Sequence, residues 1–102
     1  MAVKIIWSPL ALADAEDIAK YIARDSQAYA AGMIQRIVKS VDLLSLFPSM
    51  GRHVPEIIDS NIRELIVRPY RVIYRIESDQ VTIAAIIHGA RMLEDALRDR
   101  VI

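Results

Sequence analysis

The chain has 102 residues, 54% of them hydrophobic, with thirteen basic and thirteen acidic side chains, two histidines and no cysteine. That length holds one domain (residues 1–102) burying roughly 60 to 65% of the surface its unfolded form exposes, with one core to serve everything. The even charge speaks against a partner chosen by bulk electrostatics, and the lack of cysteine excludes disulfides and thiolate metal sites, so neither metal nor cofactor is expected.

Val3 to Trp7 is a short β-type run that Ser8-Pro9 ends. Serine before proline is a helix start, because the serine oxygen accepts an orphan amide and proline has none to lose. A helix is expected from Pro9 to near Arg24. Its apolar face is read as Leu10, Ala13, Ile18, Tyr21 and Ile22, and its polar face as Asp14, Glu16, Asp17 and Lys20, with the acids toward the positive end of the dipole. Asp25-Ser26 is the next cap. Ala30, Ile34, Ile37, Val41 and Leu44 then recur at helical spacing, giving a second helix of about 20 residues that packs antiparallel on the first until Pro48 stops it.

Ser49 to Ser60 has no clear period and reads as a crossing loop, with one short turn at Glu56 to Ile58. From Arg63 to Ala90 the pattern changes to alternation. Leu65 and Val67, then Val72, Tyr74 and Ile76, then the apolar run Val81 to Ile87 predict three strands in an antiparallel meander, broken at Pro69 and at Ser78-Asp79-Gln80. Leu93, Ala96 and Leu97 predict a short terminal helix. The class is α+β: an N-terminal strand at a sheet edge and a helical hairpin on one face of an antiparallel sheet, whose other face meets water. No leader segment is evident and the longest apolar run is too short for a bilayer, so a cytoplasmic protein without membrane contact is expected. The high apolar share implies surface meant for a partner.

All three lysines precede residue 40, whereas eight of the ten arginines follow residue 50. Arg63, Arg68, Arg71 and Arg75 form a local basic stripe. They read either as solvated residues that blunt the open sheet face or as contacts to phosphate or an RNA backbone, with Arg71 the foremost because Tyr70 and Tyr74 flank it. His88, before Gly89, is either a strand-end histidine or a general acid or base, and Arg91 either pairs with Glu94 or Asp95 or contacts a target. His53 reads as solvated. No nucleophile elbow, phosphate loop or metal spacing occurs.

Trp7-Ser8-Pro9 with Asp17-Ile18 and Tyr21-Ile22, Phe47-Pro48 with Gly51-Arg52, Arg63-Glu64-Leu65, Tyr70 to Tyr74 and His88-Gly89-Ala90-Arg91 together resemble the RelE/ParE superfamily of bacterial toxins. The resemblance spans nearly the whole chain. It implies the toxin of a type II toxin-antitoxin pair that causes growth arrest and is held inactive by a cognate antitoxin. Ribosome-dependent members cut messenger RNA with basic strand residues, arginines resembling Arg71 and Arg91, and a tyrosine or histidine near the C-terminus. Here Met92 to Ile102 has no Tyr, His or Lys, and Arg63 and Arg68 stand where clustered lysines would. In an endonuclease Arg71, His88 and Arg91 would be catalytic, with the ribosome and its mRNA as partner. The Trp-Ser-Pro opening and the His-Gly-Ala-Arg segment look more like the ParE branch, which poisons DNA gyrase. Whichever the target, its contacts are expected at Arg63, Arg68, Arg71, Tyr74, His88 and Arg91. A third reading is a toxin-like domain acting only as an interaction or regulatory partner.

Overall fold

The computed structural model describes residues 2–102. In chain order it has β1 (Lys4–Trp7), α1 (Pro9–Ala23), α2 (Gln27–Asp42), a 3-10 turn (Leu43–Ser45), β2 (Arg52–His53), β3 (Ile62–Val67), β4 (Tyr70–Ile76), β5 (Gln80–His88) and α3 (Leu93–Ala96). The caps form as the sequence dictates. Ser8 Oγ accepts the Ala11 amide at 3.1 Å with Pro9 at the first helical position, and Ser26 Oγ accepts the Tyr29 amide at 3.0 Å.

The sheet order is β1-β5-β4-β3-β2. The three predicted strands form the antiparallel meander, and β1 lies at the edge as expected. It runs parallel to β5, so the sheet is mixed. Two residues of the expected crossing loop, Arg52 and His53, pair antiparallel with Glu64 and Arg63 as the opposite edge strand.

The helices pack on one sheet face, but α1 is rotated from its expected orientation. Ala11, Ala15, Ile18 and Ile22 face inward, while Leu10 and Tyr21 are 50% and 68% exposed. Small residues let the helix approach the sheet closely, and that approach selects the alanine stripe over the larger side chains. No acid lies in the first turn of α1.

Apolar packing continues on the other sheet face, contrary to the expectation of one core and one wetted face. Ile62, Ile73, Ala85 and Ile87 are buried there beneath Val54 and Leu93, with Ile57, Ala96, Leu97 and Ile102 packed around them. The run Val81 to Ile87 serves both faces because β5 has a bulge. Ile73 pairs with Ala85 and Tyr74 with Ile83, leaving Ala84 unmatched. Val81 and Ile83 therefore face the helices, whereas Ala85 and Ile87 face the C-terminal segment. One extra residue exchanges the faces served by odd positions.

Candidate functional site

The four arginines do not form one stripe. Arg63 shares the helix-side parity of Leu65 and Val67, and its Nη1 donates to the carbonyls of Ser49 and Gly51 at 3.3 and 2.9 Å. Its Nε is buried without a hydrogen-bond partner. Tyr74, across the ladder, is fully buried: its hydroxyl donates to Pro48 O at 2.8 Å and accepts the Gly51 amide at 3.0 Å. A Cβ on Gly51 would lie 2.5 Å from that hydroxyl, so only glycine fits there. The expectation that Tyr74 touches a target is thus corrected: it fastens the 48–51 loop and offers no surface to a ligand.

Arg71 and Arg75 face the other side of the sheet. Arg75 pairs with Asp59 at 3.2 Å and donates to the Ile102 carbonyl. Arg71 is buried and clamped by two carboxylates. Its Nε donates to Glu64 at 2.5 Å, and its two terminal nitrogens donate to the two oxygens of Glu56 at 2.9 and 2.8 Å. Glu64 is enclosed completely and also receives Arg52 Nε at 2.6 Å. Hydrogen bonding to Glu56 pushes the Arg71 pKa further up, and the same contact holds the Glu56 carboxyl below its ordinary range. Arg71 is therefore not the solvated residue that one sequence reading made of it. The register carried a signal for this pair: a connection that sets Val67 opposite Tyr70 also sets Ile66 opposite Arg71, leaving Glu64 and Arg71 diagonal on one face.

The remaining candidates meet at one corner, where Pro69 and the end of β5 come together. His88 is the cross-strand partner of Tyr70, and their rings make an edge contact at 5.6 Å. Burial pushes the Tyr70 hydroxyl up. The Ala90 amide donates to His88 Nδ1 at 3.1 Å, which engages that ring nitrogen within the turn. His88 lines two clefts. One, of about 510 Å³, also has Arg52, Glu56, Arg68 and Arg71; the other, of about 580 Å³, has Asp17, Tyr21, Tyr70 and Arg91. Arg68 and Arg91 are exposed and make no ion pair among the described residues, so Arg91 does not pair with Glu94 or Asp95. No group of three metal-binding side chains occurs among the described residues, and no helix there is long and apolar enough to cross a membrane.

A family model described as the ParE toxin of the type II toxin-antitoxin system parDE matches residues 5–93. The chain belongs to this toxin family. The toxin is 33% identical over 90 residues to the toxin RelE2 of Caulobacter vibrioides, covering 87% of this chain and 98% of that one. It is 38% identical over 88 residues to the putative toxin Y4kP of Sinorhizobium fredii, covering 84% and 88%. Among solved structures, the chromosomal ParDE system of P. aeruginosa superposes with a TM-score of 0.71 at 22% identity, covering 85% of the toxin and 96% of that chain. The YoeB dimer of Staphylococcus aureus gives 0.60 at 15%, covering 86% and 98%. Both structural likenesses establish the fold, and the fold is common to ParDE and YoeB toxins.

A second ion-paired site escaped the sequence reading. Asp14, assigned to the wetted face of α1, accepts the Ile86 amide at 2.9 Å and takes both terminal nitrogens of Arg100 at 2.7 and 2.6 Å. Arg100 also donates to Ala84 O, the bulged carbonyl, at 3.1 Å. These contacts cap the part of the β5 edge that β1 is too short to cover, and tie the C-terminal segment to α1. Nothing local signals a partner 86 residues away.

Proposed function

We propose that this toxin arrests growth in the cytoplasm by inhibiting DNA gyrase, and that a cognate antitoxin neutralises it. The observation that carries this reading is the proton inventory at the His88 corner. Cutting RNA at the 2′-hydroxyl needs a group to take a proton, another to give one, and cations to hold the phosphorane charge. Arginines supply only the last, because they stay protonated at neutral pH. His88 Nδ1 is engaged by the Ala90 amide, so a single ring nitrogen would have to serve both proton steps. Arg71 already meets two carboxylates. Three carboxylates, Asp14, Asp17 and Glu56, also line the clefts at this corner, but Asp14 is held by Arg100, Glu56 by Arg71, and no ion pair joins His88 to Asp17 among the described residues; with Arg68 and Arg91 exposed, the corner suits holding a target better than cleaving one. Arg68, His88 and Arg91 are the contacts proposed for that target; Arg63 and Arg71 support the surface from within.

The antitoxin is proposed to cover apolar residues left exposed on the helical hairpin, among them Leu10, Leu12, Tyr21 and Tyr29. An amphipathic segment laid there would bury more than about 1,200 Å² in a stable complex. The test runs two assays side by side on purified toxin: gyrase-catalysed supercoiling with trapping of cleaved DNA, and messenger RNA integrity on programmed ribosomes. Inhibited supercoiling with intact RNA is expected, and Arg91→Ala should weaken the inhibition. Codon-positioned cuts that vanish in His88→Ala, with supercoiling untouched, would replace this reading with a ribosome-dependent endonuclease.

A further inference from the structure

The apolar spacing of the helical hairpin does not stop where its buried stripe stops. Beyond Leu44, which is fully buried, the chain keeps turning: the Leu46 and Phe47 amides both return to the Leu43 carbonyl, and the Met50 amide returns to the Phe47 carbonyl. Leu43, Leu46, Phe47 and Met50 therefore recur at spacings of three and four on one side of this turn, and that side faces outward, with exposures of 50, 62, 57 and 42%. A seam of that period is what one helix presents to another, and here it is open to solvent. With about half of each side chain open, the patch offers on the order of 400 Å² of apolar surface, a size at which the largest patch of a monomer is often functional. Lys39 and Asp42 flank it, four residues before Leu43 and Leu46. Both are exposed, and neither makes an ion pair among the described residues.

We propose that this patch is the interface of a twofold homodimer. The charges select a second copy as the occupant. An acidic or basic partner calls for a rim of the opposite sign, whereas a twofold axis brings residue i of one copy to residue j of the other and j to i. Lys39 and Asp42, one turn apart at the edge of the patch, are such a pair: each copy supplies the cation at one end of the seam and the anion at the other. Two patches together cover about 800 Å² of apolar surface, and the charged rim carries the total to about 1,200 Å², the lower edge of a stable specific interface. The Val3 amide donates to the Ser45 carbonyl and Lys4 pairs with Gln80, so the patch sits at the start of β5. His88 ends that nine-residue strand, on the order of 25 Å away. Pairing through the patch therefore leaves the corner of each copy open, and the dimer presents two of them. The interface does not depend on whether those corners hold gyrase or another target.

The test follows the mass of purified full-length toxin by sedimentation equilibrium across a concentration series. The wild type should form a reversible dimer with a micromolar dissociation constant. Phe47→Glu, at a side chain more than half exposed, should fold normally and weaken association at least about tenfold. Lys39→Asp and Asp42→Lys each set like charges against one another across the axis, and each should weaken self-association about tenfold. Mixed in equal amounts, these two variants meet opposite charges at both ends of the seam and should associate with near wild-type strength. A change within one chain cannot produce that recovery. A wild type that stays monomeric at high concentration overturns the proposal, and a monomer whose Leu43 to Met50 amides gain exchange protection only in the antitoxin complex reassigns the patch to that partner. A dimer that Phe47→Glu leaves intact, or a mixture that associates no more tightly than its separate components, overturns it as well. The mixing result decides even where Phe47→Glu fails to fold.

Discussion

Two ion-paired sites hold this toxin together, and they differ in what they join. The Glu64–Arg71 site links neighbouring strands inside the sheet and encloses a carboxylate completely. The Asp14–Arg100 site links the first helix to the end of the chain, with both side chains 16% exposed. Enclosure raises the cost of losing a partner, because the group left behind cannot recover its hydration. Chain separation raises the consequence for order, because no intervening structure holds the two ends if the contact goes. The first site should therefore govern global stability, and the second should govern where the C-terminal segment lies.

Arg71→Ala should produce the largest loss. It leaves Glu64 enclosed with Arg52 alone, whose own side chain is 60% exposed. Removing one partner of a buried pair costs about 3–5 kcal/mol, which should appear as a lower denaturant midpoint with an unchanged slope. A midpoint close to wild type would show that water reaches Glu64 and would remove the distinction between the two sites. Arg100→Ala comes next, at about 1–2 kcal/mol, since Asp14 keeps the Ile86 amide and a partly exposed carboxylate loses less. Its distinctive readout is hydrogen exchange: the β5 edge near Ile86 and the residues after Ala96 should lose protection while β3 and β4 keep theirs. Uniform loss of protection would mean that the tail contact is as global as the clamp.

The same contrast explains what was legible in the sequence. Capping and alternation are local signals, so Ser8-Pro9, Ser26 and the strands on either side of Pro69 and Asp79 were read close to their observed bounds. Strand β2 was missed because two residues carry no period, and only the ladder to Arg63 and Glu64 defines it. The face of α1 was misjudged because hydrophobicity favoured Leu10 and Tyr21 where packing distance favoured Ala11 and Ala15. Arg71 stood out, but as an exposed cation. Its partners lie 7 and 15 residues away, within reach of the hairpin register for Glu64 but not for Glu56, which sits on an aperiodic turn. Asp14 looked solvated because the helical pattern around it says nothing about residue 100.

Tyr74→Phe should cost about 1 kcal/mol. The ring stays buried, but the Gly51 amide loses its acceptor and the Pro48 carbonyl its donor. Because the 48–51 loop leads into β2, which carries Arg52, this variant tests whether the loop and the clamp form one unit. Combined with Arg71→Ala, it should give less than the sum of the single losses if they do, and the plain sum if they are independent.

The smallest effect concerns acid stability, and it distinguishes the exposed half of the clamp from the enclosed half. The Arg71 hydrogen bond holds the Glu56 carboxyl below its ordinary value of 4.5. A carboxyl depressed in the folded state binds its proton more readily when unfolded, so its contribution is complete above the unfolded value and declines as pH falls through the folded one. Exposure limits that contribution to about 0.2–1 kcal/mol. Comparing wild type with Glu56→Gln cancels the titration of the remaining carboxylates. The wild type should be slightly more stable near neutrality, and the two curves should converge in acid below the usual carboxylate range. Adding salt should narrow the neutral-pH difference, because an ion pair open to water is screened. A difference that persists unchanged in acid would mean that Glu56 contributes through packing, and the clamp would then rest on Glu64 alone.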